Sequence, residues 1–279
     1  MNMDLFETRA EMKTLPGGTK LFLGTSGYSF RNWKGVFYPE RISGKDWLRY
    51  YAMQFNSVEI NSTYYGILSG KATGSMAESV PGGFSFSVKL HSSMTHGRNA
   101  GTSEWKAFRA MLEPFVETGR MGMVLAQFPW SFPMEEKSFS WLEEVSGNLQ
   151  SFDTAVEFRH ERWYSEESIE RVLELGLTPV SVDLPKLGGL PETGLLGGGQ
   201  RVYLRLHGRN RSKWWGNTQE RYDYLYSREE LKEWVEPLKG LSEGTSSCYV
   251  FFNNCHMGKA ALNAQDMERL LSGSTGGFV

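Results

Sequence analysis

Cysteine is nearly absent from this chain: Cys248 and Cys255 are the only two in 279 residues. Two thiols make no disulfide framework, which points to a reducing compartment, the cytoplasm. Long apolar runs are missing as well. None approaches the roughly 20 residues a membrane-spanning helix needs, so no membrane partner is expected. The opening stretch "MNMDLFETRAEMKTLPGGTK" has neither a basic n-region nor an apolar h-region and does not read as a secretory signal. Nor is there an excess of charge of either sign. The 32 acidic residues against 30 basic ones leave a formal charge of −2. That balance argues against a surface coated in positive charge for non-specific nucleic-acid binding, while leaving room for a local basic site.

What the chain does have is 40% hydrophobic residues, enough for a sizeable core, and eight short β-rich runs. These are "LFLGTSG" (21–27), "SVEIN" (57–61), "FSFSVKLH" (84–91), "MVLAQF" (123–128), "AVEFR" (155–159), "PVSVD" (179–183), "VYLRLHG" (202–208) and "YVFFNN" (249–254). Helical patterns lie between most of them. Trp105, Phe108, Met111, Leu112 and Phe115 recur at three- and four-residue steps. "SEESIERVLELG" opens on Ser165 and closes on Gly176, and Ser227 with Glu230 makes a capping-box pattern. Strands alternating with helices predict a parallel sheet, and eight units in about 250 residues predict a single (β/α)8 TIM-like barrel. One connection is irregular: "LPKLGGLPETGLLGGGQ", between the sixth and seventh strands, holds too much Gly and Pro for a helix. The expected division is an N-terminal extension over 1–19, the barrel over 20–272 and a flexible tail over 273–279.

Parity decides where the charges go. In a barrel wrapped by helices the outer strand faces are apolar, and successive side chains alternate faces. Val58 and Ile60 set against Ser57, Glu59 and Asn61; Phe86, Val88 and Leu90 against Ser87, Lys89 and His91; Val156 and Phe158 against Glu157 and Arg159; Val180 and Val182 against Ser181 and Asp183; Val202, Leu204 and Leu206 against Tyr203, Arg205 and His207. The polar parity is therefore predicted to face the lumen. Three acids (Glu59, Glu157, Asp183) then meet three cations (Lys89, Arg159, Arg205), and His207 is left to titrate. A barrel lumen is ordinarily filled by Val, Ile and Leu. Six charges there must be paired, wet or bound to something.

The charges come late in their strands, at the carboxyl ends where this fold carries its active sites. Aromatic loops gather at the same end: Tyr28 and Trp33, Tyr64 and Tyr65, Trp130, Trp163 and Tyr164, Trp214 and Trp215. All five histidines fall at or just beyond strand ends, although His160 has the outward parity and His256 lies on a loop. Cys255 beside His256 does not read as a nucleophile dyad, because adjacent loop residues rarely face each other. The loop after the seventh strand, "GRNRSKWWGNTQERYDYLYS", mixes cations with aromatics, which suits a ligand with anionic groups and flat or sugar-like faces.

Several motifs together resemble the YecE-like family, a family of unknown function: "GTSGYSFRNWKGVFYP", "FNSVEINSTYYGI", "FSFSVKLHSSMTH", "AVEFRHERWY", "VYLRLHGR", "RYDYLYSREEL" and "FFNNCHMGKAALNA". The resemblance runs from about Leu21 to Leu271 and implies a TIM-like barrel, but no reaction. Two departures stand out. The family's Arg between the strand-three Lys and the following Thr-His is replaced here by the region of His91 and Ser92. The Trp of the helix after strand two is missing from "SGKATGSMAESV".

The leading expectation is an enzyme that does acid–base chemistry on a small or medium anionic substrate, bearing phosphate or carboxylate, at the carboxyl face. Whether it is a hydrolase, lyase or isomerase stays open. The catalytic set is Glu59, Glu157, Asp183 and His207. Substrate contacts are expected from Tyr28, Asn61, Tyr64, Lys89, His96 and Gln127, and from Arg159, Arg205, Arg209, Trp214, Tyr224 and Asn253. No cofactor and no metal are expected. One alternative is a metal-dependent phosphodiesterase or sugar isomerase, since acids and His at strand ends also make divalent-metal sites. The other is a non-catalytic nucleotide or nucleic-acid binder working through the basic aromatic loop; the acidic balance disfavours it. Against all three stands an ion-pair network that merely fills the barrel. Arg205 discriminates. A functional Arg205 presents an open fork to the cavity; a structural one is matched by buried carboxylates.

Overall fold

The eight β-rich runs become parallel strands, and the patterns between them become the helices that cover them. In the computed structural model the described residues are 13–197, 199–216 and 218–273. In chain order they form β1 (Lys13–Thr14), β2 (Lys20–Thr25), α1 (Trp47–Gln54), β3 (Ser57–Ile60), α2 (Gly70–Glu78), β4 (Ser85–Lys89), α3 (Thr102–Glu117) and β5 (Met121–Gln127). These are followed by α4 (Glu136–Asn148), β6 (Thr154–Glu157), α5 (Glu166–Glu174), β7 (Thr178–Asp183), β8 (Arg201–Leu206), α6 (Thr218–Arg221), α7 (Arg228–Lys239), β9 (Ser247–Phe252) and α8 (Lys259–Leu271). The expected flexible tail lies, beyond Gly273, outside the described residues, as do residues 1–12 of the expected N-terminal extension. Among the described residues no helix is long and apolar enough to cross a membrane.

Local chemistry starts and stops the helices where the sequence indicates. Ser165 Oγ accepts from the backbone N–H of Ser168 at 3.3 Å to open α5, and Gly176, with φ of 73°, follows its end. Ser227 and Glu230 exchange reciprocal hydrogen bonds at the start of α7. The α3 stripe of Trp105, Phe108, Met111, Leu112 and Phe115 is wholly buried.

The result is an α/β fold around a curled nine-stranded sheet in the order β1-β2-β9-β8-β7-β6-β5-β4-β3. All pairings are parallel except that of the short β1 with β2. The sheet curls until its β2 and β3 edges face each other, where a single bridge joins Ser26 to Glu59. Side chains complete this seam. Asn56 donates from Nδ2 to Leu21 O (2.7 Å) and accepts at Oδ1 from Leu23 N–H (2.9 Å), standing in for a strand residue. Tyr51 Oη accepts from Thr25 N–H (2.8 Å) and donates to Ser57 O (3.1 Å). Gly24 lies where the two edges are closest: a Cβ there would fall 1.9 Å from Ser57 O.

Burial divides the strand side chains into two sets. Val58, Phe86, Val88, Val124, Val156, Phe158, Val202, Leu204 and Val250 pack outward against the helices. Met123, Leu125, Ala155, Val180, Val182, Tyr203, Tyr249 and Phe251 form the inner set. Strand parity therefore holds for β3, β4, β6 and β8. It fails for β7, where Val180 and Val182 face inward and Ser181 and Asp183 outward. The cause is the irregular connection. Among the described residues of 184–200 there is no helix, so the outer face of β7 meets loop backbone that can hydrogen-bond. Ser181 Oγ accepts from Leu196 N–H (2.8 Å), and Thr193 Oγ1 both accepts from Val182 N–H (2.9 Å) and donates to Val182 O (3.1 Å). The inner set also makes the lumen less polar than expected: an apolar floor lies beneath the charges.

The seam makes a direct prediction. Asn56→Ala leaves a buried N–H and a buried C=O without partners and should lower the unfolding free energy by about 2–4 kcal/mol. Urea denaturation measures this, and a loss under about 0.5 kcal/mol would show that the amide does not hold the two edges together.

Candidate active site

The charged centre is built from strand ends that the sheet brings within reach of one another. Arg205, on β8, is 1% exposed. Its fork spans two carboxylates from different parts of the sheet: Nη1 donates to Glu157 Oε2 at 2.5 Å and Nη2 to Glu59 Oε1 at 2.6 Å. Nη2 also reaches Ser26 Oγ at 3.4 Å. Glu59 is completed by Tyr203 Oη, which donates to Oε2 at 2.7 Å, and by Asn61 Nδ2, which donates to Oε1 at 3.0 Å. The second oxygen of Glu157 faces Arg159 Nε at 2.5 Å and His207 Nε2 at 3.3 Å.

The electrostatics follow from this packing. Burial pushes the Glu157 carboxyl up, but Arg159 and Arg205 outweigh it and hold the group well below the usual carboxylate range. His207 is fully buried; burial and then Arg159 pull it down to about 3, so the ring is neutral. Asn253 Nδ2 lies 2.9 Å from His207 Nδ1. With the amide donating to Nδ1, the ring proton sits on Nε2 and faces Glu157.

Above this sealed layer lies a second, half-buried one. Lys89, at the end of β4, donates from Nζ to Gln127 Oε1 at 2.7 Å and stands 4.7 Å from the centre of the Tyr64 ring. Burial and then Arg205 lower it to about 7. His96 packs edge-on against the same Tyr64 ring with centroids 4.9 Å apart, and burial followed by Lys89 and Arg159 lowers it to about 4. His96, Gln127 and Arg159 open into a cleft of about 200 Å³, lined also by Trp130, Trp214, Trp215 and Tyr222 and by Arg221, Pro129 and Leu190.

Twelve of the expected site residues, and Tyr203, thus converge: Glu59, Asn61, Tyr64, Lys89, His96, Gln127, Glu157, Arg159, Arg205, His207 and Asn253 at the centre, and Trp214 on the cleft wall. The others are placed elsewhere. Asp183 is turned away from the centre by the reversed parity of β7. It accepts from Arg209 Nη2 (2.6 Å), Trp234 Nε1 (2.8 Å) and Tyr226 Oη (2.9 Å). Arg209 is spent on Asp183 and on Glu233 (2.7 Å) and holds β7 to α7. Tyr224 donates to Glu230, and its ring base covers Gly208, where φ is +92° and an added Cβ would fall 2.7 Å from Tyr224 Cβ. Tyr28 packs against Tyr51 and accepts at its carbonyl from Tyr38 Oη (2.6 Å). Arg205 itself answers the discriminating question: its fork is closed by two carboxylates and offers nothing to the cleft. Parity could not reveal the cleft wall, because Trp130, Leu190, Trp215 and Tyr222 lie on loops, and Arg221 ends the short α6, none of which follows a strand period. Only the density of aromatics and cations in those loops marks them.

The profile of the family described as "Protein of unknown function DUF72" matches residues 22–277. The chain belongs to the DUF72 family. Among similar proteins, the UPF0759 protein YunF of Bacillus subtilis (strain 168) is 27% identical over 269 residues, covering 90% of this chain and 94% of its own. A DUF72 family protein from Thermotoga maritima MSB8, solved by crystallography, is 40% identical with a TM-score of 0.83, covering 90% of this chain and 99% of its own. Another from Enterococcus faecalis V583, at 24% identity and a TM-score of 0.80 over 90% of this chain and 95% of its own, shares the fold.

Two predictions follow from the centre of this DUF72 protein. Arg205→Met strips two buried carboxylates of their common partner and should cost about 3–5 kcal/mol; a melt within a degree of the parent would mean the carboxylates are satisfied without it. The second concerns pH. His207 and His96 titrate at about 3 and 4 when folded and near 6.5 when unfolded. Between those values the unfolded chain binds more protons, so stability falls as pH drops below 6.5. His207→Gln should flatten that acid limb by about one proton. An unchanged slope in calorimetric melts between pH 4.5 and 6.5 would count against a neutral, buried His207.

Proposed function

We propose that this protein is a YecE-like enzyme, a single domain over about residues 20–272 folded as a closed (β/α)8 TIM-like barrel, that does acid–base chemistry on a small or medium anionic substrate. The carboxyl ends of the strands carry the site, and a phosphate or carboxylate is the group it grips. Closure of the barrel is supported by the β2–β3 seam, where the Ser26–Glu59 bridge, Asn56 and Tyr51 join the two edges.

One observation carries the reading: the centre has more cations than acids. With Asp183 turned away, Lys89, Arg159 and Arg205 face only Glu59 and Glu157. Arg205 consumes one oxygen of each acid, and Arg159 directs Nε at Glu157 while its guanidinium lines the cleft. Lys89 is left with a neutral amide and an aromatic face. With Lys89 titrating near 7 this surplus is a partial positive charge at neutral pH, and with Arg221 lining the same cleft it is complementary to an anion. The tryptophan walls suit a flat or sugar-like body. His96, neutral at pH 7 and lining the cleft, and Lys89 behind Gln127 move protons. Glu59, Glu157 and His207 act from beneath, fixing Arg159 and Arg205.

Thermal melts in rising sulfate or phosphate test this. The parent protein should be stabilised by several degrees at saturating anion, because a ligand that binds only the folded state raises its melting temperature. Arg159→Met should abolish that stabilisation and Arg221→Met should weaken it. A parent with no anion-dependent shift, or an Arg159→Met variant that responds like the parent, would refute the reading.

A further inference from the structure

The two arginines of the centre both have carboxylate partners, and among the described residues the lysine pairs with none. Lys89 Nζ has Gln127 Oε1 at 2.7 Å and the face of Tyr64 at 4.7 Å as its contacts. Its backbone is held in place by Thr63 Oγ1, which donates to Lys89 O at 2.6 Å. The charged and titratable groups that face it come from every element around it: Arg205 on β8, Glu157 on β6, Arg159 just beyond β6, Glu59 on β3, Tyr64 after β3 and His96 after β4. Burial is the largest influence that disfavours its proton; Arg205 and Arg159 add repulsion, and Glu157 and Glu59 offset part of it. An amine desolvated beside other cations is the arrangement that exposes a nitrogen lone pair at neutral pH.

We propose that Lys89, hydrogen-bonded behind the cleft residue Gln127, is a condensing amine that forms an imine with the carbonyl carbon of an anionic oxo compound, of the 2-oxo acid or aldehyde-acid class, that enters the cleft and displaces the Gln127 amide. The inference rests on the reading that an anion enters this cleft, and it names that anion's chemistry. Arg159 holds the carboxylate. The free Nζ lone pair attacks the carbonyl carbon, forming the C–N bond while the C=O π electrons move to oxygen. The proton lost by nitrogen passes to that oxygen, giving the carbinolamine. The nitrogen lone pair then expels the hydroxyl, which takes up a proton and leaves as water, and the iminium gives up its remaining N–H proton, so amine and carbonyl become imine and water. His96, neutral and packed on the same Tyr64 ring, is the group placed to carry the proton between nitrogen and oxygen. The lowered titration of Lys89, near 7, leaves about half the amine free at neutral pH.

The test is reductive trapping. The full chain is incubated with glyoxylate and sodium cyanoborohydride, which delivers hydride to the iminium carbon, and modified lysines are mapped by mass spectrometry. Lys89 should be labelled at least about tenfold faster than the exposed Lys45 and Lys71 at pH 7, with a midpoint near pH 7, and sulfate should suppress its labelling alone. Lys89→Arg keeps the charge and cannot condense. It should remain stabilised by sulfate while losing the selective label. Labelling of Lys89 no faster than of Lys45 and Lys71, or with a midpoint near that of an ordinary lysine, would overturn the inference. If sulfate still stabilises the protein in that case, the anion site stands without the imine. If sulfate fails as well, both readings fall.

Discussion

The fork of Arg205 is the interaction on which the rest of the centre depends. One guanidinium, inside the fold, bridges Glu59 on β3 and Glu157 on β6, two strands separated in the sheet by β4 and β5. Isolated, any of the three would be costly to bury. Together they are tolerable, because both Arg205 contacts are short, Tyr203 and Asn61 donate to Glu59, and Arg159 and His207 stand against the second oxygen of Glu157. Such a triad is weak evidence for stability, since apolar residues of similar size often do as well, but it fixes geometry strongly once present. It ties opposite walls of the curled sheet and orders every charge above it.

The site therefore has a vertical gradient. At the bottom Met123, Leu125, Val180, Val182, Tyr249 and Phe251 make an apolar floor. The sealed ion-pair layer lies on it, with Glu157 held ionised and His207 held neutral. The half-buried layer of Lys89, His96 and Arg159 comes next, and the aromatic rim of the cleft is outermost. Polarity rises with solvent access, as desolvation requires, and the charge left over after pairing is positive and lies where a ligand can enter.

The outer face of β7 shows the same rule in reverse. Asp183 would be an unpaired charge against a helix, but its neighbours there are Arg209, Tyr226 and Trp234, and the loop that replaces a helix supplies hydrogen bonds through Thr193 and Leu196. A carboxylate on an outer strand face is stable there because α7 meets it with the indole N–H of Trp234, and Arg209 and Tyr226 supply the remaining donors. Asp183 and Arg209, residue types that suit a site, serve instead to hold α7 to the sheet.

Periodicity in the sequence was sufficient to place the eight strands, the α3 stripe and the caps at Ser165 and Ser227, because these depend on neighbours one to four residues away. Parity was sufficient to put Glu59, Lys89, Glu157, Arg205 and His207 on one inner surface, because side-chain alternation is a property of the strand itself. It was not sufficient for Asp183, whose face was settled by the absence of a helix after β7. Nor did it foretell that the fork of Arg205 is closed by Glu59 and Glu157 while Lys89 lacks a carboxylate. Those pairings depend on the register and curl of the sheet, which bring residues almost 150 positions apart within hydrogen-bonding distance, and the cleft wall depends on loops that no period governs. Local sequence determined which side chains share a face; only the tertiary structure decided which charges meet, because an ion pair is a matter of ångströms in space.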